Sequence, residues 1–334
     1  MKIKLMLLRI SLSLSFLVIL FIINSPLLSQ KKSSYKKVFE INQDYLKEQG
    51  AILVSINGIY IADTKTNTII NIDSEEGIKS TFKIPQYILD KYFLPDYERE
   101  FHIGIDSIRN IFIVICHAEA LSTIIIFDKV GNFVREIDLV EIVPSSVRIT
   151  GFYVSKRGVL FIHTTPHSPL SPGWNESTYV YNNDGTFLGR SDCNWEDSKG
   201  NLIKILRTKD STIISKYKNP IDSKIYSSSK LRKIAAYAIL KTKNNYYQQG
   251  VSWSYVGIDT SDNMYLTNEN IIRKLDPNLN LISEIPIIHN LLNNQSIKLV
   301  KVLVGPGGNT FLYGEQTSIV GKSESKKMIL LKQQ

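Results

Sequence analysis

The side chains best suited to chemistry in this 334-residue sequence are histidines and carboxylates set close together. His117 and Glu119 flank a single residue, and His163 and His167 lie four apart in HTTPHSPLSPGW; Asp63, Trp253, Asn268 and Glu269 stand at comparable places in other segments. Imidazole and carboxylate are ligands of zinc and similar divalent ions, so His117, Glu119 and His163 form a candidate metal set. His-x-Glu is nevertheless a short pattern with a high chance frequency, and the Pro-rich stretch after His163 reads equally as a surface loop. No metal site is therefore assigned, and solvated or hydrogen-bonded loop histidines are the plainer expectation. The sequence has no G-x-S-x-G elbow, no H-E-x-x-H, no phosphate-cradling glycine loop and no dinucleotide fingerprint. GPGGN at Gly305 falls between VKVLV and TFLY, where a hairpin turn is expected. Two cysteines, Cys116 and Cys193, are too few for a disulfide framework, and unlinked thiols are the expectation, with one bridge as the alternative.

Charge adds a second candidate surface. Lys plus Arg number 40 against 31 Asp plus Glu, a formal +9. The excess is local: Lys199 to Tyr247 carries +10 and residues 1–37 carry +7, which leaves −8 on everything else. Within the interval, Lys216, Lys218, Lys224, Lys230, Arg232, Lys233, Lys241 and Lys243 form the expected basic patch, on a basic insertion at about residues 217–250. Its centre, SSKLRKIAAYAILK, reads as a short helix or as the outer strands of a sheet, and a solvated basic edge is the simpler alternative to a binding surface.

The leader decides which partners such a patch can meet. Lys2, Lys4 and Arg9 precede an uncharged run from Ile10 to Gln30, the pattern of an export segment. Its dense apolar centre, Ile10 to Ile23, would span about 21 Å as a helix, short of the roughly 30 Å of a bilayer core. Residues 1–30 are therefore expected to be a signal peptide or, because the small-x-small cleavage pattern is poor, an N-terminal membrane anchor. Either places the remainder in a secreted, periplasmic or cell-envelope setting. An unknown protein, a glycan or an anionic envelope component is then the expected partner, and nucleic acid is not.

What must position these residues is a repeated β unit. At 43% hydrophobic and 21% charged residues the chain folds around a core, and 47 Ile with 17 Tyr and 13 Phe favour strands. Six times an alternating apolar run meets a tight turn and a second apolar run, with turns centred on Asn57-Gly58, Arg109-Asn110, Arg157-Gly158, Gly200-Asn201, Asp262-Asn263 and Gly308-Asn309. Second turns follow at Asp73, Asp128, Asn182 and Asp276, giving four strands per unit. The first turns are spaced by 52, 48, 43, 62 and 46 residues, a propeller-blade period. The expectation is an all-β chain: a six-bladed β-propeller of four-stranded antiparallel blades over residues 31–334, behind the export segment. Closure is expected from KKVFEI at Lys36 pairing with MILLK at Met328, which removes a sticky edge.

The segment NGIYIADTKTNTIINID, from Asn57 to Asp73, resembles an NHL-type repeat of six-bladed propellers, and IGIDSIRNIFIV at Ile103 and VGIDTSDNMYL at Val256 are similar. The resemblance implies that Asp63, at the Ala-Asp position, caps a turn. In such propellers the loops after second strands and those leading into first strands share a face around the central channel, which would gather Asp63, His117, Glu119, His163, His167, Trp253, Asn268 and Glu269. The expected function is non-enzymatic binding or scaffolding by a monomer through that face, with no cofactor. The alternative is a metal-dependent hydrolase or lyase of the six-bladed lactonase type, with an ion in the channel.

Overall fold

The computed structural model describes residues 35–333, apart from 43–48, 56–57, 74–76, 93–98, 108–109, 118–122, 140–146, 167–176, 209–210, 220–225, 241–253, 269, 288–296, 306 and 321–322. The expected export segment, residues 1–30, thus lies outside the described residues. Among the described residues twenty-four strands form six separate four-stranded antiparallel sheets, the β-propeller that the repeat spacing predicts. Blade 1 runs from β2 (Gln49–Ser55) through β3 (Gly58–Asp63) and β4 (Thr68–Asp73) to β5 (Gly77–Lys83). Blade 2 holds β6 (Arg99–Ile105) to β9 (Phe133–Asp138), blade 3 β10 (Val147–Val154) to β13 (Phe187–Ser191), and blade 4 β14 (Trp195–Glu196) to β17 (Arg232–Leu240). Blade 5 holds β18 (Ser254–Ile258) to β21 (Leu281–Pro286).

Blade 6 is assembled from both ends of the chain. Its order is β22 (Ile297–Val304), β23 (Thr310–Val320), β24 (Ser323–Gln333) and then β1 (Tyr35–Asn42). Lys36 faces Lys332 and Ile41 faces Met328 in an antiparallel register with one irregularity between Lys37 and Phe39. The N-terminal strand therefore closes the ring as the sequence predicts.

The core is divided into six wedges, one between each pair of adjacent blades. Tyr60 and Ile69 of blade 1 meet Phe101 and Ile113 of blade 2, and Ile52 and Ile61 on the other side of blade 1 meet Leu303 and Tyr313 of blade 6. The remaining four wedges repeat this arrangement. Successive side chains of a strand point to opposite faces. A blade strand packed on both sides is thus apolar at consecutive positions, which explains runs such as IFIVI at Ile111, where all five residues are buried.

Two features lie outside the plain repeat. A seven-residue helix, α1 (Gln86–Tyr92), joins blades 1 and 2 and buries Ile88 and Leu89 in the first wedge. The basic segment of blade 4 takes the strand alternative: a 3-10 turn at Ser228–Lys230 leads into β17, the outermost strand of that blade.

Candidate functional site

One five-residue turn builds the mouth of the channel. In blades 2, 4 and 5 the innermost hairpin is closed by Asp-x-x-x-Asn: Asp106 to Asn110, Asp197 to Asn201 and Asp259 to Asn263. In each, one carboxylate oxygen accepts the Asn backbone N–H at 2.8–3.0 Å and the other accepts its side-chain amide at 2.9–3.0 Å. Blades 3 and 6 keep the backbone frame without the carboxylate, as Ser155 to Val159 and Gly305 to Asn309. The fourth position of the turn takes positive φ, 82° at Gly200 and 78° at Gly308, which is why the sequence so often puts Gly before the closing Asn. The same turn recurs between third and fourth strands at Asp128 and Asp276.

These turns surround a cavity of about 420 Å³ to which all six blades contribute. Leu53, Ile103, Phe152, Val154, Ile258 and Val304 form apolar walls, and Ser55, Ser107, Ser198 and Thr260 sit at the polar rim. The charged rim groups are engaged with one another. Lys156 of blade 3 lies 3.5 Å from Asp262 of blade 5 and donates to the Thr260 carbonyl at 3.1 Å, while Ser198 of blade 4 donates its N–H to Asp262 at 3.0 Å. Arg157 ion-pairs with the fully buried Glu196, whose backbone carbonyl accepts the Tyr153 hydroxyl at 2.7 Å. Burial followed by the Glu196 charge pushes the Tyr153 hydroxyl well above its ordinary pKa.

Gly104 sets the fit of the cavity wall. A Cβ there would lie 2.4 Å from Val154 Cγ2 and 2.9 Å from the Phe152 ring, so only glycine lets the inner strands of blades 2 and 3 approach this closely.

Beneath the cavity the channel changes character. Counted back from the hairpin end, His102 (opposite Val114), Gly151 (opposite His163) and Lys301 (opposite Tyr313) occupy the same level of their blades. His102 bonds the Ile149 backbone through one ring nitrogen, and its Nε2 is buried without a partner. His163 pairs Nδ1 with Thr178 Oγ1 at 3.1 Å and rests 5.4 Å from the Trp195 ring, its Nε2 again without a partner. Burial drives both imidazoles down to a pKa of about 4. Glu100 partly offsets this at His102, while Lys301 and Arg148 add to it; Arg148 is itself ion-paired with Glu100.

The candidates taken from the sequence distribute differently from the expected cluster. The turn carrying Asp63 lies at the end of blade 1 remote from the cavity; its Oδ1 accepts the N–H groups of Lys65 and Thr66, so the carboxylate caps a turn. Asn268 does the same for Asn270 and Ile271. His117 ends β7 (Ile111–His117) opposite Arg99, and Glu119, His167, Trp253 and Glu269 lie outside the described residues. Among the described residues no group of three His, Cys, Asp or Glu is placed to hold a metal. Of the described candidates, Asp63, His163 and Asn268 do not line the cavity, which opens at the end of the channel remote from the Asp63 turn.

The basic set also divides. Lys216 is withdrawn from any surface patch: it is buried, 2.6 Å from the buried Asp197, and donates to the Pro277 carbonyl at 2.8 Å. Its strand position, turned into the wedge between blades 4 and 5, is the reason. Lys218, Lys230, Arg232 and Lys233 are exposed, Lys233 lying 5.9 Å above the Tyr217 ring, and Lys224, Lys241 and Lys243 lie outside the described residues. Cys193 is a buried free thiol, its pKa raised to about 12 chiefly by burial. Sequence reasoning passed over the cavity walls and Lys301; the signal that marks their face is the Asp-x-x-x-Asn closure of the inner hairpins.

No family model matches the chain, and no curated protein does. Solved structures similar to it include a member of the DUF4221 family from Bacteroides vulgatus, at 11% identity over 92% of this chain and 99% of that one, with a TM-score of 0.48. AofleA from Arthrobotrys oligospora aligns at 9% identity over 90% and 92%, TM-score 0.47, and YCF48 from Cyanidioschyzon merolae at 11% over 90% and 98%, TM-score 0.45. By its own sheet topology the chain is a six-bladed β-propeller.

Proposed function

We propose that the protein is a binding propeller of the cell envelope or exterior, delivered there by its leader, that holds a small ligand at the mouth of its central channel. The observation that carries this reading is the cavity of about 420 Å³, apolar within and polar at the rim, on which six blades converge. Sites for small molecules have this character: concave, mostly apolar and largely preformed. What supports binding over metal-dependent hydrolysis is the state of the rim carboxylates. Asp106 and Asp259 cap turns, and Glu196 and Asp262 are ion-paired, so each is held by neighbours rather than turned to a reacting group. The exposed Lys230, Arg232 and Lys233 on blade 4 supply a second contact surface for an anionic envelope component.

A fragment panel read by ligand-observed NMR tests the channel site. Ser107 and Thr260 are exposed rim residues, so Ser107→Trp or Thr260→Trp narrows the mouth without entering a core wedge. Fragments that bind the protein should compete with one another and lose at least about tenfold in affinity in these variants, with the melting temperature unchanged. Fragments indifferent to both substitutions would remove the channel as the site.

A further inference from the structure

Lys301 is the observation that the binding reading leaves unused. It belongs to β22, the innermost strand of blade 6, and is solvent-exposed although its neighbours Val302 and Leu303 are buried in the flanking wedges. On the innermost strand, between two filled wedges, an exposed side chain has only the channel to enter, so Lys301 faces it. Among the described residues around the channel, Lys156, Arg157 and Arg148 each have a carboxylate partner, whereas Lys301 has none.

Its depth relates it to the cavity. The deepest lining residues, Leu53, Ile103 and Phe152, stand two positions back from their hairpin ends, and Lys301 stands three back from its own. One residue of strand is about 3.3 Å. The strand position of Lys301 therefore lies one residue below the deepest of the apolar walls, at the level of His102, whose Nε2 is without a partner. An ammonium without a counter-ion beside an apolar-walled cavity favours an anionic ligand by charge complementarity.

We propose that the channel takes a small carboxylic acid, its apolar body against the walls of the cavity and its carboxylate accepting hydrogen bonds from Lys301. This rests on the channel reading above and adds the class of ligand. A neutral apolar molecule would fill the walls and leave Lys301 as it is, and inorganic phosphate would meet the charge without using the walls. Only an acid with a short hydrocarbon body satisfies both.

The test uses the purified full chain with hexanoate, hexanamide and inorganic phosphate as probes, followed by calorimetry and by the imidazole resonances of His102. Hexanoate should bind with one-to-one stoichiometry and at least about tenfold more tightly than hexanamide, the value of one charge-assisted hydrogen bond. Bound carboxylate should also raise the pH at which His102 titrates, which hexanamide should not. Lys301→Met should erase the preference and Lys301→Arg should keep it; the comparison of hexanoate with hexanamide on the unaltered protein needs no variant to fold. Equal binding of hexanoate and hexanamide, both blocked by Ser107→Trp, would overturn the carboxylate assignment and leave the channel site standing. Phosphate that competes as well as hexanoate would overturn it in favour of a general anion site. No binding of either hexyl probe at millimolar concentration would overturn both.

Discussion

At the scale of single residues, acidic side chains in this protein chiefly hold backbone in place. Asp63 and Asn268 both stand after second strands, where the sequence suggests ligand contacts; Asp63 caps its turn, as the NHL-like resemblance implies, and Asn268 does the same, each accepting two N–H groups of its own turn. The Asp-Asn turns were visible as punctuation, but their chemistry, two bonds to one backbone and one amide, depends on coordinates. Lys216 shows the limit of reading charge linearly. Lys216 shares the strand face of Ile214, which is buried in the wedge between blades 4 and 5, and there it faces Asp197. Replacing it by Met would leave that carboxylate buried and unpaired, and should cost about 3 to 5 kcal/mol in urea unfolding; a loss below about 1 kcal/mol would show that Asp197 finds another partner. The histidines predict a pH dependence. Their folded pKa of about 4 lies below the unfolded value of about 6.5, so the unfolded chain binds more protons between those limits. Stability should be full above pH 6.5, fall as the pH drops toward 4 and level off below it. A His102→Asn, His163→Gln double variant should flatten that slope; an unchanged slope would place its origin in other groups.

Elements were legible where two periodicities agreed. Alternating apolar residues gave the strands, and Gly or Asn at a fixed offset gave their turns, so all six inner hairpins stand where the turn residues place them. The helix α1 was not legible, because seven residues are too few for a 3.6-residue period to stand out beside Pro85 and the flanking strands. Nor was the close approach of β6 to β10, since nothing in IGID marks Gly104 as different from a turn glycine. Gly104→Ala puts a methyl 2.4 Å from Val154 Cγ2, inside any real contact distance. It should destabilise by about 1 to 3 kcal/mol, and adding Val154→Ala should recover part of the loss on chemical unfolding, because the second substitution removes the obstructing methyls. Additive losses in the double variant would mean that the strain is taken up elsewhere.

At the scale of the whole molecule, the ring is a chain of wedges, and closure depends on a strand borrowed from the other end of the sequence. The candidate face was the part least available to reading in advance: a sequence shows that loops gather at two ends of a channel, while which end is hollow follows from how side chains of all six inner strands fill it. Closure, by contrast, was legible from an unpaired apolar strand at each terminus. Its consequence can be measured. β1 covers the outer edge of the eleven-residue β24, sends Val38 into the wedge between blades 6 and 1, and pairs Glu40 with Lys327 and Lys37. The ion pairs sit at the surface, where such pairs contribute little. The backbone ladder and the covered edge matter more, because an uncovered strand of that length invites pairing with another chain. A chain beginning at residue 43 should therefore lose roughly 5 to 10 °C of melting temperature and shift toward dimers or larger species in size-exclusion chromatography. Adding a synthetic peptide of residues 35–42 should reverse the shift by occupying the same edge. A truncated chain that stays monomeric with an unaltered melting temperature would show that the ring is held by its wedges alone.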